Sequence, residues 1–210
     1  MIAGVLSNNE MLGLLSVAIA AVAYSRYFWN IYKKRTKPHA FTWALWTLIT
    51  AIAFFAQRTQ DTGPGTWALG SDTVMNFVCA ILAIRWGEKN ITKSDWAAFL
   101  GALAAIPVWV LASNPLGAVF LVTLIDALSF YPTIRKSYLK PREETGFMFG
   151  MSALRFIISV LALESFTFVT AFYPLFIAVA NISLVTMLLW RRAALAKRAA
   201  ENGKTREAAP

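Results

Sequence analysis

Long apolar segments alternate with short basic clusters along the whole chain, and this alternation constrains the fold more than any motif does. Charged residues make up only 15% of the sequence, against about a quarter in a soluble domain. About 20 consecutive apolar residues cross the hydrocarbon core of a bilayer as a helix, whereas membrane barrels show short alternating segments. The sequence therefore predicts an all-α integral membrane protein.

Seven apolar segments are long enough to be transmembrane helices. The first is too long for a signal-peptide core and has no basic segment before it, so we expect it to be retained. The predicted helices are Met11–Tyr32, Ala40–Gln57, Trp67–Trp86, Trp96–Ala112, Leu116–Ile134, Gly146–Leu163 and Tyr173–Trp190.

The loops between these helices alternate in charge. Seventeen Lys and Arg residues fall in segments 33–37, 85–93, 135–142 and 191–206, whereas the opposite-side loops contain Arg58 alone. Basic residues stay on the cytoplasmic side, so we expect an inner-membrane protein with its N-terminus outside and its C-terminus in the cytoplasm. The net charge of +9 is then a topology signal that favours anionic lipid, and we expect no nucleic-acid partner.

The chain contains an internal repeat. Val74-Met75-Asn76 in helix 3 and Val179-Ala180-Asn181 in helix 7 each begin an apolar stretch that ends in Trp and Arg, at an offset of 105 residues. Helices 1 and 5 match at nearly the same offset, and helices 2 and 6 match in length. The sequence thus predicts a 3+1+3 arrangement: two parallel three-helix repeats (1–90 and 114–192), a linker helix (91–113) and a basic cytoplasmic tail (193–210).

The repeated asparagines are the first candidates for substrate binding. Asn76 and Asn181 would lie at one depth, and each amide offers two donors and two acceptor sites. The alternative is that each only bonds a neighbouring helix. Trp43 and Trp46 share a face of helix 2 and could stack on a solute, or could face lipid instead.

The predicted spans contain charged residues that need an explanation, above all Asp126 and Arg155. A lone charge at such depth is costly, so pairing or exposure to a cavity is expected. Asp126 and Arg155 could form a structural ion pair, Asp126 could carry a proton, or Arg155 could meet an anionic solute group. Asp72, one turn before Asn76, is expected near the outer mouth or as a cap of helix 3. His39, the only histidine, is expected at the boundary of helix 2.

The helix plan, the two asparagines and Trp46 together resemble the SWEET and PQ-loop transporter superfamily. In this resemblance, Pro132-Thr133 stands where the Pro-Gln signature would lie in helix 5. The resemblance implies transport by alternating access with Asn76, Asn181 and Trp46 around the solute. The architecture is also similar to that of PnuC-type vitamin transporters.

The predicted function is movement of a small polar solute, sugar or sugar-like, across the membrane. The alternatives are a vitamin or nucleoside transporter, a proton-coupled transporter of an amino-acid-like solute, and a receptor that does not transport. No nucleotide-binding, zinc-protease or Cys-x-x-Cys motif occurs, so we expect no catalytic residue, metal site or cofactor. The expected partners are the solute and the bilayer, and a homo-oligomer is left open.

Overall fold

A computed structural model of the chain describes residues 6–58, 62–111 and 115–207. These residues form seven α-helices and two short 3-10 segments, Gly63–Thr66 and Pro141–Glu143. The helices are α1 (Asn8–Tyr32), α2 (Ala40–Arg58), α3 (Trp67–Trp86), α4 (Lys93–Leu111), α5 (Pro115–Leu139), α6 (Gly146–Leu161) and α7 (Phe168–Glu207). The all-α class and the number of helices are confirmed. The predicted junction of helices 4 and 5 at 112–114 and the last three tail residues lie outside the described residues.

Local sequence sets several helix ends. Ser7 and Glu10 form a capping box that begins α1, each side chain bonding the other's backbone N–H. Gly63 has φ +59°, a left-handed conformation that favours glycine, and it starts the 3-10 segment that leads into α3. A Cβ on Gly13 of α1 would lie 2.8 Å from Cβ of Pro64, so glycine permits the close approach of α1 to this segment.

Within the described parts of the chain, three helical segments are long and apolar enough to cross a membrane: Asn8–Tyr32, Gly63–Trp86 and Phe168–Glu201. The surface of α3 illustrates how such a helix could face lipid. Val74, Phe77, Ile81 and Ile84 form an exposed apolar stripe, and Ile84 is 71% exposed. Polar side chains of the same helix are buried instead. This pattern reverses that of a soluble helix and is compatible with a membrane protein.

Helices α1, α2, α3, α5, α6 and α7 surround the centre of the molecule. α2 packs on α3 and α6 on α7, while α1 packs on α6 and α2 on α5. α4 packs mainly along α5 and, to a lesser extent, α2. α4 contributes none of the described residues that line the central cavity.

Candidate functional site

A narrow cavity lies at the centre of the helical bundle, with a volume of about 30 Å³. This is room for a water molecule only, so a solute could enter only if the walls moved apart. Its walls combine aromatic rings with carboxyl and amide groups. The fifteen lining residues are Tyr24, Trp43, Trp46, Thr50, Asp72, Asn76, Asp126, Phe130, Met148, Phe149, Ser152, Phe156, Tyr173, Ile177 and Asn181. We call this space the central cavity.

The two predicted asparagines both line the central cavity. The hydroxyl of Tyr24 lies 2.7 Å from Oδ1 of Asn76 and 2.7 Å from Oδ1 of Asp72, and can donate its proton to one of them. Nδ2 of Asn181 donates to the carbonyl of Ile177, one turn earlier in α7. A role of these amides in solute binding stays a prediction.

The two tryptophans of α2 are buried rather than facing lipid. Their rings meet edge to face with centroids 5.0 Å apart, and the Trp46 ring lies 4.6 Å from that of Phe130. Phe149 lies 6.4 Å from Trp46 across the cavity. The α2 face predicted from the sequence is thus part of an aromatic wall that also includes residues of α5 and α6.

Arg155 pairs with Asp72, not with Asp126 as the sequence analysis considered. The guanidinium is fully buried and forms an ion pair with the Asp72 carboxylate, and Nη1 donates to the carbonyl of Ala68 at 3.2 Å. The pair joins α6 to α3. Asp72 lies inside α3 rather than at its cap, and its side chain is part of the cavity wall towards the vestibule end.

Asp126 lines the central cavity without a charged partner. Its side chain is 2% exposed, and it forms no salt bridge with any of the described residues. The indole of Trp46 is the donor that faces this carboxyl, but its Nε1 does not reach hydrogen-bond geometry. The hydroxyl of Tyr173, also in the cavity wall, is buried without a partner as well. Two donors that face this cavity, Nε1 of Trp46 and the hydroxyl of Tyr173, are therefore unsatisfied.

A buried ion pair closes one end of the cavity, near the basic loops. Nζ of Lys136 lies 2.5 Å from Oε2 of Glu144, and the hydroxyl of Tyr27 donates to Oε1 of Glu144 at 3.0 Å. The same ammonium donates to the carbonyl of Lys37. Sequence reasoning missed this site because Lys136 and Glu144 belong to a loop-proximal charge run that resembles a topology signal.

His39 lies at the boundary of α2, as predicted, and its side chain is fully buried at the basic-loop end. Its Nε2 lies 3.6 Å from Oδ2 of Asp95, and Asp95 is held by Arg135 at 2.6 Å. Burial lowers the pKa of His39, and Arg135 and Lys136 lower it further, against the opposing effect of Asp95. The described residues contain no group of three His, Cys, Asp or Glu that could hold a metal ion.

Glu88 lies in the loop after α3 and pairs with Lys140 at 2.9 Å. Burial raises the pKa of this carboxyl, but hydrogen bonds from the Asn90 N–H and from Lys140 outweigh burial, so the net pKa is lowered. The loops after α3 and α5 are thus joined by an ion pair.

A second cavity, the vestibule, lies at the opposite end from the basic loops. It is lined by Glu10, Arg58, Thr62, Gly63, Pro64, Thr66, Trp67 and Glu164. Its residues Thr66 and Trp67 immediately precede Ala68, whose carbonyl binds Arg155. The vestibule and the central cavity are therefore separated by about one helical turn of α3.

Comparison with protein families finds a match to the sequence model of the YhhN family over residues 3–106. The matched part is just under half of the chain and includes α1, α2, α3 and about the first three-quarters of α4. It contains Asp72 and Asn76 but not Asp126, Arg155 or Asn181. No curated protein and no solved structure matches the chain.

The expected SWEET, PQ-loop or PnuC relationship is wrong, because the family comparison finds the YhhN model and none of these families. The expectation rested on the number of helices and on Asn and Trp residues at certain depths. Those features suit many helical bundles that enclose a polar site, whereas the Pro-Gln signature itself was missing.

Proposed function

We propose that the protein is a membrane carrier of a small polar solute, with the central cavity as the solute site. The observation that carries this proposal is the distribution of contacts between the first half (α1 to α3) and the second half (α5 to α7). Polar contacts between the halves form two clusters, one on each side of the central cavity. A carrier needs such a pair of gates, because each must open while the other stays closed.

Repetition of buried positions supports two parallel three-helix units joined by α4. Buried residues of α3 recur in α7 at an offset of 105, and those of α1 and α2 recur in α5 and α6 at an offset of 106. The contacts of α1 with α6 and of α2 with α5 are also exchanged by this repeat. Matching buried pairs are Ala20/Asp126, Tyr24/Phe130, Trp43/Phe149, Trp46/Ser152, Asp72/Ile177, Asn76/Asn181 and Cys79/Leu184.

The first gate is at the basic-loop end. It consists of Tyr27 and Lys37 of the first half, and Lys136 and Glu144 of the second. Breaking it would leave a buried ammonium and a buried carboxylate without their cross-half partners. Such groups strongly favour a closed gate until water reaches them.

The second gate is at the vestibule end. The Ser159 hydroxyl donates to the carbonyl of Gly65 at 2.9 Å, and Arg155 bonds the carbonyl of Ala68 and pairs with Asp72. Asp72 and Arg155 therefore belong both to this gate and to the edge of the solute site. A solute that contacts Asp72 would perturb the gate directly.

In this proposal the cytoplasmic face carries the basic loops and the C-terminal tail, in the plasma membrane of a bacterial cell. Asn76, Asn181, Trp43 and Trp46 contact the solute, and Asp126 is the site of a proton or other compensating charge. Sugars are the solute class that the sequence predicts first.

Uptake into proteoliposomes tests the proposal. Labelled sugars, nucleosides, amino acids and small amines are offered to the wild type and to the variant Asn76→Ala plus Asn181→Ala. The matched control is Ser183→Ala, because Ser183 also bonds the carbonyl one turn earlier in α7 but is exposed. Uptake that the double variant loses and the control keeps supports a carrier with this site, whereas absence of uptake of every solute by folded protein contradicts it.

One observation favours a second candidate, acid–base catalysis within the membrane. Asp72 and Asp126 line one cavity in different environments, one ion-paired and one not, as in enzymes that use one carboxyl as acid and another as base. Mass spectrometry of the recovered solute separates the two functions. A carrier returns the solute intact, whereas an enzyme converts it at a rate that Asp126→Asn abolishes.

A further inference from the structure

The charges around the central cavity do not balance. Asp72 is neutralised by Arg155, but Asp126 has no cationic partner among the described residues. Tyr24 and Tyr173 are the other titratable groups of the wall, and both are neutral phenols that cannot supply a positive charge. An ionised Asp126 therefore leaves one uncompensated negative charge in a nearly dry site, which is costly at this depth.

Aromatic rings surround the space next to this carboxyl. Trp46, the residue whose indole faces Asp126, forms edge-to-face contacts with Trp43 and Phe130. The faces of aromatic rings attract cations, and tryptophan does so most strongly. A neutral solute could stack on the same rings, but it could not neutralise the carboxylate.

Two orphaned donors further define the shape of the missing ligand. Nε1 of Trp46 and the hydroxyl of Tyr173 are buried and have no partner. Buried donors of this kind are normally satisfied. A ligand with a cationic group and a neighbouring oxygen would give Asp126 a counter-ion and both donors an acceptor.

The vestibule has the charge expected of an entrance for cations. Glu10 and Glu164 line it together with Arg58, so its formal charge is −1. Glu164 is exposed, and its carboxyl lies against Gly63, at the start of the segment that leads to α3. The net negative charge of this cleft raises the local concentration of cations.

We propose that the solute of the central cavity is a small organic cation, an ammonium that pairs with Asp126 while its carbon substituents contact Trp46 and Phe130. This proposal rests on the proposed solute site, and it replaces a neutral sugar with a charged amine as the expected class. Arg155 takes no part in the recognition, because Asp72 already holds it.

Binding to the purified full-length protein in detergent tests the charge class. The probes are tetramethylammonium and ethylammonium, each compared with a neutral analogue of similar size, tert-butyl alcohol and 1-propanol. Binding is measured by isothermal titration calorimetry. We expect each cation to bind at least about tenfold more tightly than its neutral analogue, since only the cation gains the buried charge pair.

The variant Asp126→Asn should weaken cation binding by about 30-fold or more and leave the weak binding of the alcohols unchanged. Trp46→Phe should weaken it less, because a ring remains in place. The control is Glu201→Gln, which removes a carboxylate from the exposed tail of α7. Equal binding of cations and alcohols, or cation binding that Asp126→Asn leaves intact in folded protein, overturns the proposal.

The proteoliposome assay distinguishes failure of this inference from failure of the carrier function. Uptake of a neutral solute that tetramethylammonium does not inhibit would overturn the cation and keep the carrier. Asp126-dependent cation binding without uptake of any solute would keep the cation site and overturn the carrier. Competitive inhibition of uptake by tetramethylammonium in wild type is the result that supports both.

Discussion

Replacing Asp72 with Asn should destabilise the protein far more than the chemically identical replacement of Asp126. Both carboxyls line the same cavity and are almost completely buried. Only Asp72 neutralises a buried cation, because Arg155 is fully buried and pairs with it. Asp72→Asn thus leaves a guanidinium without a counter-ion, whereas Asp126→Asn removes an uncompensated charge.

The expected magnitude follows from the contacts of Arg155. Removing one partner of a buried ion pair costs about 3–5 kcal/mol. The Asn side chain keeps an acceptor for one neutral hydrogen bond, worth about 1 kcal/mol. The loss in the free energy of unfolding for Asp72→Asn is then about 2–4 kcal/mol. For Asp126→Asn we expect a change within about 1 kcal/mol in either direction.

The free energy of unfolding can be measured in mixed micelles of increasing sodium dodecyl sulfate content, with tryptophan fluorescence as the signal. A double-mutant cycle adds Arg155→Met. The variant Asp72→Asn plus Arg155→Met should recover about 1–3 kcal/mol relative to the sum of its single changes. No such coupling should occur between Asp126→Asn and Arg155→Met.

Two outcomes would refute the reasoning. Equal destabilisation by the two Asp-to-Asn changes would mean that the buried guanidinium does not depend on Asp72. Coupling of Arg155 to Asp126 rather than to Asp72 would restore the pairing considered from the sequence and contradict the structure.

Three further predictions concern the gate, the packing and the loops. Glu144→Gln weakens the first gate, and we expect its opening to become easier by about 1.4 kcal/mol. Maleimide should then label the buried thiol of Cys79 about tenfold faster than in wild type. An unchanged labelling rate would contradict a gate at this end. Gly13→Ala should lower the free energy of unfolding by about 1–3 kcal/mol because its Cβ would clash with the 3-10 segment before α3, whereas Gly150→Ala, with nothing within 4 Å, should not be destabilising. Because the pKa of Glu88 is lowered, its contribution to stability is present above the unfolded pKa of about 4.3 and is lost as the pH falls through the folded value. Thermal unfolding measured from pH 7 to pH 3 should therefore show a smaller decrease in melting temperature for Glu88→Gln than for wild type.

The helices could be predicted because their signals are local. The predicted third helix has the same bounds as α3, and α2 and α6 begin at the predicted residues. The helix after Pro174 continues to Glu207, well beyond Trp190, because the tail is rich in Ala and other good helix formers. Apolar length marks only the part of a helix that meets lipid, so it underestimates a helix that extends into water.

The site could be predicted only in part, because pairing between helices is not a local property. The repeat identified Asn76 and Asn181, and both line the central cavity. The partner of Arg155 could not be found, because Asp126 lies at a similar depth and the sequence does not show which helices are neighbours. The packing of α6 against α3 made Asp72 the partner.

The proposed repeat includes wall groups of the central cavity but not its acids. Asn76 recurs as Asn181 and Tyr24 as the aromatic Phe130, so the two halves supply similar wall groups. The acids do not recur, since Asp72 corresponds to Ile177 and Asp126 to Ala20.

Two identical halves would carry the same acids and cations at matching positions, so their charges would be balanced or unbalanced alike. Here one acid is balanced within the protein by Arg155, and the other is not. The unbalanced carboxyl lies on the α5 side of the central cavity. In the proposed carrier, Asp126 holds the solute while the Asp72–Arg155 pair, which joins α3 to α6, opens and closes the vestibule end, and the Asp72 and Asp126 variants would separate these two roles.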